Sequence, residues 1–365
     1  MKTLNKFILL TLIASVGFFT ACEDDEDNNL SYEESQEVLQ DMDSQTAADL
    51  EEMSQTDGMT AMMTLNTMDD PFAGVVKSTK EYQVISNIKE LALPADKKLK
   101  TVKATDRFAF DDNAGTYTWN NTEGVWDYNE SPTDEIVIVF PADSTQMDNN
   151  NATLTISNYQ DTEIVDGEYS YYQPTEIKAN LKVDDDEQMD MSFTASWDDN
   201  GNPISMDISV LLTPFNFTGN LEEESTSGSL NFSVDYNDSQ ILDAGVIVNF
   251  IEGTQDAEII DGYIQYRKMR IEANINIANI YEIEQNYENY EDDQDVLDAI
   301  NEEIDAKVFH DGDKVADLKV GMDDSTQEVI IVLVFNDGTE ENAEEYFENL
   351  FTQTQEFLSE MGVQL

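Results

Sequence analysis

The stretch "EQMDMSFTASWDDNGNPISMDISVLL" (187–212) decides the fold. Met189, Met191, Phe193, Ala195 and Trp197 alternate with polar residues, and Ile204, Met206, Ile208, Val210 and Leu212 do so again. Successive side chains of a strand point to opposite faces. Strict alternation therefore marks a sheet with one buried and one wet face. Between the two runs, Asn200-Gly201 supplies a turn that joins antiparallel neighbours.

The same period recurs outward from this hairpin. Ile177, Ala179, Leu181 and Val183 carry it on one side. On the other side it appears in Leu230, Phe232, Val234 and Tyr236, and later in Ile271, Ala273, Ile275 and Ile277. "TYTWNNTEGVWDY" (116–128) reads as a hairpin with Trp119 and Trp126 on its arms, and "FHDGDKVADLKV" (309–320) turns at Asp311-Gly312. Short turns with no βαβ rhythm between 105 and 285 predict an antiparallel meander, and a large twisted meander curls. Three runs break the alternation: "EIVIVF" (135–140), "GVIVNFI" (245–251) and "VIIVLVF" (329–335). Continuous apolar strands want both faces covered.

Helices flank the strands. Ser31 and Glu34 fit a capping box, and Val38, Leu39, Met42, Leu50 and Met53 recur at near-helical spacing. Gly58 interrupts, Met59, Met62, Met63 and Leu65 continue the face, and Asp69-Asp70-Pro71 ends it. Six of the 14 methionines lie between 42 and 68. They read as core filler, with a ligand groove as the alternative. Ala343, Tyr346, Phe347, Leu350, Phe351, Phe357, Leu358 and Met361 form a wide apolar helical stripe after a Thr339 cap,. A short helix is expected at 295–304. The expected fold is mainly β (α+β). It is a large curved antiparallel meander or half-barrel, with an N-terminal helical segment and a C-terminal helix packed on the sheet. Residues 31–365 read as one β-rich domain, and "YENYEDDQD" (287–295) marks where a sub-boundary would fall.

The beginning of the chain bears on location. Lys2 and Lys6 precede an uncharged apolar run from Phe7 to Phe19, followed by Thr20, Ala21 and the single cysteine, Cys22. The run is shorter than the roughly 20 residues that span a bilayer core, and it has the layout of a secretory signal. Residues 1–22 resemble a bacterial lipoprotein signal, with Phe19 where that family usually has leucine. The resemblance implies cleavage of residues 1–21 and lipidation of Cys22. Residues 22–30 then form an acidic tether, in which Glu23–Asp27 resemble a surface-export signal of Bacteroidetes lipoproteins. "GTYTWN" and "VFPA" also resemble stretches of uncharacterised Bacteroidetes lipoproteins, which brings no activity with it. The implied location is the outer membrane, held by palmitate-type acyl chains. The cell surface is preferred and the periplasmic face is the alternative.

Composition narrows the partners. Residues 1–21 hold two of the 18 basic residues and no acidic one, so the chain from Cys22 carries 16 basic and 78 acidic residues, a formal charge of −62. Nucleic acid needs a basic footprint, and none is available here. His310 is the only histidine and Cys22 is committed to lipid, which argues against zinc sites built on Cys and His and against a Cys–His pair,. No G-x-S-x-G, P-loop or EF-hand spacing occurs. "SWDDNGN" (196–202) has calcium-like residues at the wrong positions,. Tyr169, Tyr171, Tyr172, Trp119 and Trp126 offer rings that could stack on sugars or pack across strands. Asp143-Ser144-Thr145 and Asp324-Ser325-Thr326 resemble a short Bacteroidetes O-glycosylation pattern. No catalytic residue, metal or cofactor is assigned. The expected function is a non-catalytic binding module for an apolar or amphiphilic ligand. Its topology resembles half-barrel lipoproteins that carry lipids. The alternatives are an accessory subunit docking another envelope protein and a carboxylate-dependent glycan hydrolase.

Overall fold

A computed structural model describes residues 29–68, 71, 108–130, 134–166, 169–254, 256–290, 292–323 and 329–346. The fold is mainly β, as the alternation predicts. Sixteen strands form one open sheet whose order follows the chain almost throughout: β1 (Gly115–Asn120), β2 (Val125–Asn129), β3 (Ile136–Phe140), β4 (Ala152–Asp166), β5 (Tyr169–Val183), β6 (Asp186–Trp197), β7 (Pro203–Leu212), β8 (Phe215–Glu223), β9 (Ser227–Tyr236), β10 (Ser239–Phe250), β11 (Ala257–Tyr266), β12 (Met269–Asn276), β13 (Ile304–His310), β14 (Asp313–Met322), β15 (Val329–Phe335) and β16 (Glu340–Asn342). One neighbour pair departs from the meander: β1 lies between β2 and β3 and pairs parallel with β3. Backbone contacts group the chain into two units. One is Met1–Ala48 with Gly219–Phe351, and the other is Asp49–Thr218 with Thr352–Leu365. The stretch 287–295 lies inside the former.

In the unit that holds β1 to β7, the buried face comes directly from the alternation. Ile136, Ile138 and Phe140 of β3, Leu154 and Ile156 of β4, Ile177 and Leu181 of β5 and Phe193 of β6 are fully buried. Val137 and Val139 on the opposite face of β3 are half-buried, so the continuous run "EIVIVF" still has an inner and an outer side. Helix α2 (Asp57–Thr67) packs on β5 and β6 and buries Met59, Ala61, Thr64 and Leu65. Its start is set by Thr56, whose side chain accepts a hydrogen bond from Met59 N at 3.3 Å. The helical segment therefore breaks at 55–56, before Gly58, and Gly58 sits in the first turn of the new helix. A Cβ there would lie 2.7 Å from Leu212 Cδ1 and 3.1 Å from the Gln188 carbonyl oxygen, so only glycine lets the helix approach this closely,. Thr64 Oγ1 donates to the Ala142 carbonyl at 3.1 Å.

The unit that holds β9 to β16 has two apolar clusters. Helix α1 (Tyr32–Ser54) opens on the expected capping box. Glu34 accepts from Ser31 N at 3.0 Å, and Glu34 N donates to Ser31 Oγ at 3.4 Å,. Its Leu39 and Met42 pack with Met269, Val308, Val315, Leu333, Phe335, Ala343 and Tyr346. The second cluster lies under α3 (Ile277–Gln285) and α4 (Asp293–Glu302), where Ile277, Ile280, Leu297 and Ile300 cover Ile260, Ala273, Ile275 and Val320. The 287–295 stretch covers most of the connection between these two helices and the first turn of the second.

Two local expectations are corrected. Ile277 begins a helix and does not continue the strand, because the Asn276 side chain accepts from Asn279 N at 3.1 Å and caps it,. Thr339 caps no helix. It closes the turn into β16, where Phe335 N donates to its carbonyl at 2.9 Å, and Asn342 caps the helical turn 344–346 by accepting from Glu344 N at 3.0 Å. That turn does return to the sheet of its own preceding strand: Ala343 and Tyr346 are buried against Leu333 and Phe335. Phe347 and the rest of the expected stripe, like Cys22 and Glu23–Asp27, lie outside the described residues.

Candidate functional site

The alternation that builds the core of β4–β6 also builds its opposite face. While Leu154, Ile156, Ala179, Leu181, Met189 and Met191 turn inward, Thr153, Thr155, Ser157, Lys178, Asn180, Lys182 and Asp190 turn outward. Cross-strand register sets these polar residues side by side: Thr153 faces Lys182, Thr155 faces Asn180, Ser157 faces Lys178, and Asn180 faces Asp190. With Glu135 from the entry to β3 they line a groove of about 390 Å³. Three hydroxyls run along one strand, and two ammonium groups and an amide run along the next. Two carboxylates complete the lining. Every group can exchange hydrogen bonds with a hydroxylated ligand. None of these side chains was singled out in the sequence. The one feature that sets them apart in the sequence is that Lys178 and Lys182 occupy the wet positions of a strand in a long stretch otherwise without lysine or arginine.

Trp119, Trp126 and Tyr171 are engaged elsewhere. Trp119 and Trp126 face each other in register and meet edge to face, with centroids 5.2 Å apart, which is cross-strand packing. Tyr171 donates its hydroxyl hydrogen to the Asn200 carbonyl at 3.0 Å and so braces the β6–β7 turn. In that turn Asp198 accepts from Asn200 N and Asn202 N, both at 2.8 Å. The backbone hydrogen bond from Asn202 is the chief cause that holds its carboxyl below the usual range. The calcium-like "SWDDNGN" is thus a turn motif whose acid binds its own backbone. In the loop at 143–145, Asp143 accepts from Thr145 N at 2.7 Å and Thr145 Oγ1 at 2.8 Å, while Ser144 is exposed. The second such triplet, 324–326, lies outside the described residues. His310 ends β13 beside the Asp311-Gly312 turn, in register with Met269 and Asp313.

One carboxyl is held above its ordinary range. Asp261 of β11 is 2% exposed, and burial raises its pKa against the opposing effect of the hydrogen bond that Asn274 Nδ2 donates to it. It belongs to the other unit and lines no part of the groove. Among the described residues no three His, Cys, Asp or Glu side chains come together to hold a metal ion, and no helix is long and apolar enough to cross a membrane. Comparison of the chain with family models, curated proteins and solved structures finds no match.

Proposed function

We propose that this protein is a lipid-anchored outer-membrane lipoprotein of the envelope, displayed at the cell surface, whose sheet is a non-catalytic binding module. The observation that carries the binding reading is the groove on β4–β6. Of the apolar or amphiphilic ligand expected from the sequence, its lining favours the hydroxyl-rich side, a glycan or the sugar head of an amphiphile, over an apolar one. Binding sites combine apolar surface with a few convergent polar groups, and here every lining residue except Ala179 contributes a polar group beside its own apolar stem. A Thr155→Trp substitution fills the groove without disturbing the inward row. Titration of detergent-solubilised protein with soluble glycans and with glycolipid micelles tests the reading. The parent is expected to bind at least one class and the variant to lose it. Unchanged binding by the variant would overturn the groove as the site.

A second reading, docking to another envelope protein, has one observation in its favour. Leu230 and Phe232 of β9 are 45% and 37% exposed, and they face half-buried Val246 and Ala244 of β10. Exposed apolar neighbours of this kind mark contact surfaces when they form a patch. If this strip is the working surface, Phe232→Ser removes association measured by sedimentation and leaves glycan binding intact.

A further inference from the structure

Lys178 and Lys182 are the only lysine or arginine residues among the described residues between 29 and 218, and both line the groove. In a chain with 78 acidic residues against 18 basic ones, a cation is expected to sit against a carboxylate. On the other unit that is the rule: Lys268–Asp311, Arg270–Glu272, Lys307–Asp305 and Lys314–Asp317 pair at 2.5–2.9 Å. The groove lysines differ. Glu176 comes only to 3.8 Å from Lys178 Nζ, and its second oxygen accepts from Gln160 Nε2 at 2.9 Å. Glu187 stands opposite Lys182 in register, yet it accepts from Asn180 Nδ2 at 2.7 Å. The carboxylates adjoining both lysines each also accept from an amide side chain, and neither comes as close to its lysine as the pairs of the other unit do.

We infer that the groove recognises an anionic polysaccharide, a hydroxylated chain that carries carboxylate or sulfate groups. This rests on the groove being the binding site. The ammonium groups would take the anionic groups of the ligand as charge-assisted hydrogen bonds. The hydroxyls of Thr153, Thr155 and Ser157 would donate to ring and hydroxyl oxygens, and Glu135 and Asp190 would accept from ligand hydroxyls. The lysine Cα atoms are about 13 Å apart, four residues along a strand, so an extended chain can meet both. The negative charge of the protein works against this. The four charges of the lining sum to zero and the adjoining Glu176 and Glu187 add two negative ones, while charges farther off are screened over about 8 Å at physiological salt; affinity for the anionic chain therefore has to come from direct contact with the two ammonium groups.

The test titrates the full-length protein in detergent with polygalacturonate, heparin and uncharged dextran. The parent is expected to bind at least one anionic polymer about tenfold or more tighter than dextran. Lys178→Gln/Lys182→Gln is expected to lose that preference while keeping its denaturant midpoint, since both side chains are exposed. Equal affinity for charged and uncharged polymers, or a preference retained by the double variant, overturns the inference. In either case loss of binding by Thr155→Trp leaves the groove as the site, and unchanged binding overturns the groove as well. A parent that binds neither anionic polymer also overturns the inference.

Discussion

Asp261 and Glu341 show how two carboxylates of one unit respond to pH in opposite senses. Asp261 is buried with Asn274 as its hydrogen-bond donor, and burial raises its pKa. In the window between its unfolded value, roughly 4, and its higher folded value, the native state binds more protons than the unfolded one. Stability therefore falls as pH rises through that window. Asp261→Asn removes the term, so the variant is expected to gain on the parent between pH 4 and pH 7. Urea midpoints of both proteins at the two pH values check this, and an equal difference at both would show that Asp261 titrates as an exposed acid. Glu341 behaves oppositely. Burial works against its ionisation, but hydrogen bonds donated by Tyr32, Tyr346 and Gln36 outweigh it and leave the pKa lowered. Its contribution is complete above the unfolded pKa and is lost as pH falls through the folded one. Glu341→Gln is thus expected to destabilise at pH 7 and to converge with the parent under acid. The same hydrogen bonds join α1 to β16. Tyr32 is pushed up to about 12 chiefly by its bond to Glu341, and Tyr346 to about 12 by burial and then that bond.

At the scale of elements, the β6–β7 hairpin quoted at the outset is held by its turn. Gly201 has φ +83°, and a Cβ there would meet the Tyr171 hydroxyl. Left-handed backbone costs an L-residue ~1–2 kcal/mol, and the clash with the bracing tyrosine adds to it. Gly201→Ala should therefore lower stability by at least that amount, read from the denaturant midpoint. Gly201→Ala in a Tyr171→Phe background should recover part of the loss, because the hydroxyl is gone. This hairpin was fully legible because period two and Asn-Gly are local signals. What escaped reading was set by contacts distant in sequence. The parallel pairing of β1 with β3 leaves no mark on either strand. The helix at 277–285 follows an alternating run so closely that Ile277 fits both periods, and only the Asn276 cap separates them. β16 intervenes before Asn342 because Glu340–Asn342 finds β15 to pair with. The groove stayed hidden for a different reason. Its inward residues announced the sheet, while its outward ones looked like ordinary solvent-facing polarity until register set two lysines beside three hydroxyls.

For the whole molecule, the proposed lipid anchor has to be compatible with the way the chain enters its sheet. The chain joins its sheet at once: Asn29 bridges to Lys314, and Leu30 N donates to the Lys314 carbonyl at 3.0 Å. Asn336 Nδ2 donates to the Leu30 carbonyl at 3.1 Å and to the Lys314 carbonyl at 3.0 Å, clamping the entry. Leu30 lies eight residues after Cys22, a distance of at most about 29 Å when extended. A lipid on Cys22 would thus keep this end of β14 within that distance of the bilayer. Glu23, Asp24, Asp25, Glu26 and Asp27 lie in that interval. Neutralising these five acids is expected to leave the denaturant midpoint unchanged, since they precede the first bridge at Asn29, and to retain the protein on the inner leaflet. Protease shaving of intact cells reads this directly, and equal shaving of variant and parent would remove the export role from the acids. The anchor itself is the sterner test. Two acyl chains suffice for stable attachment, whereas the apolar run 7–19 is too short to span. Cys22→Ser should therefore abolish incorporation of labelled palmitate and move the protein to the soluble fraction. The sheet should be unaffected, because the clamp at Leu30 lies eight residues downstream. Palmitate still incorporated by the Cys22→Ser protein would sink the lipoprotein reading, and membrane association without palmitate would transfer the attachment to the sheet or to a partner.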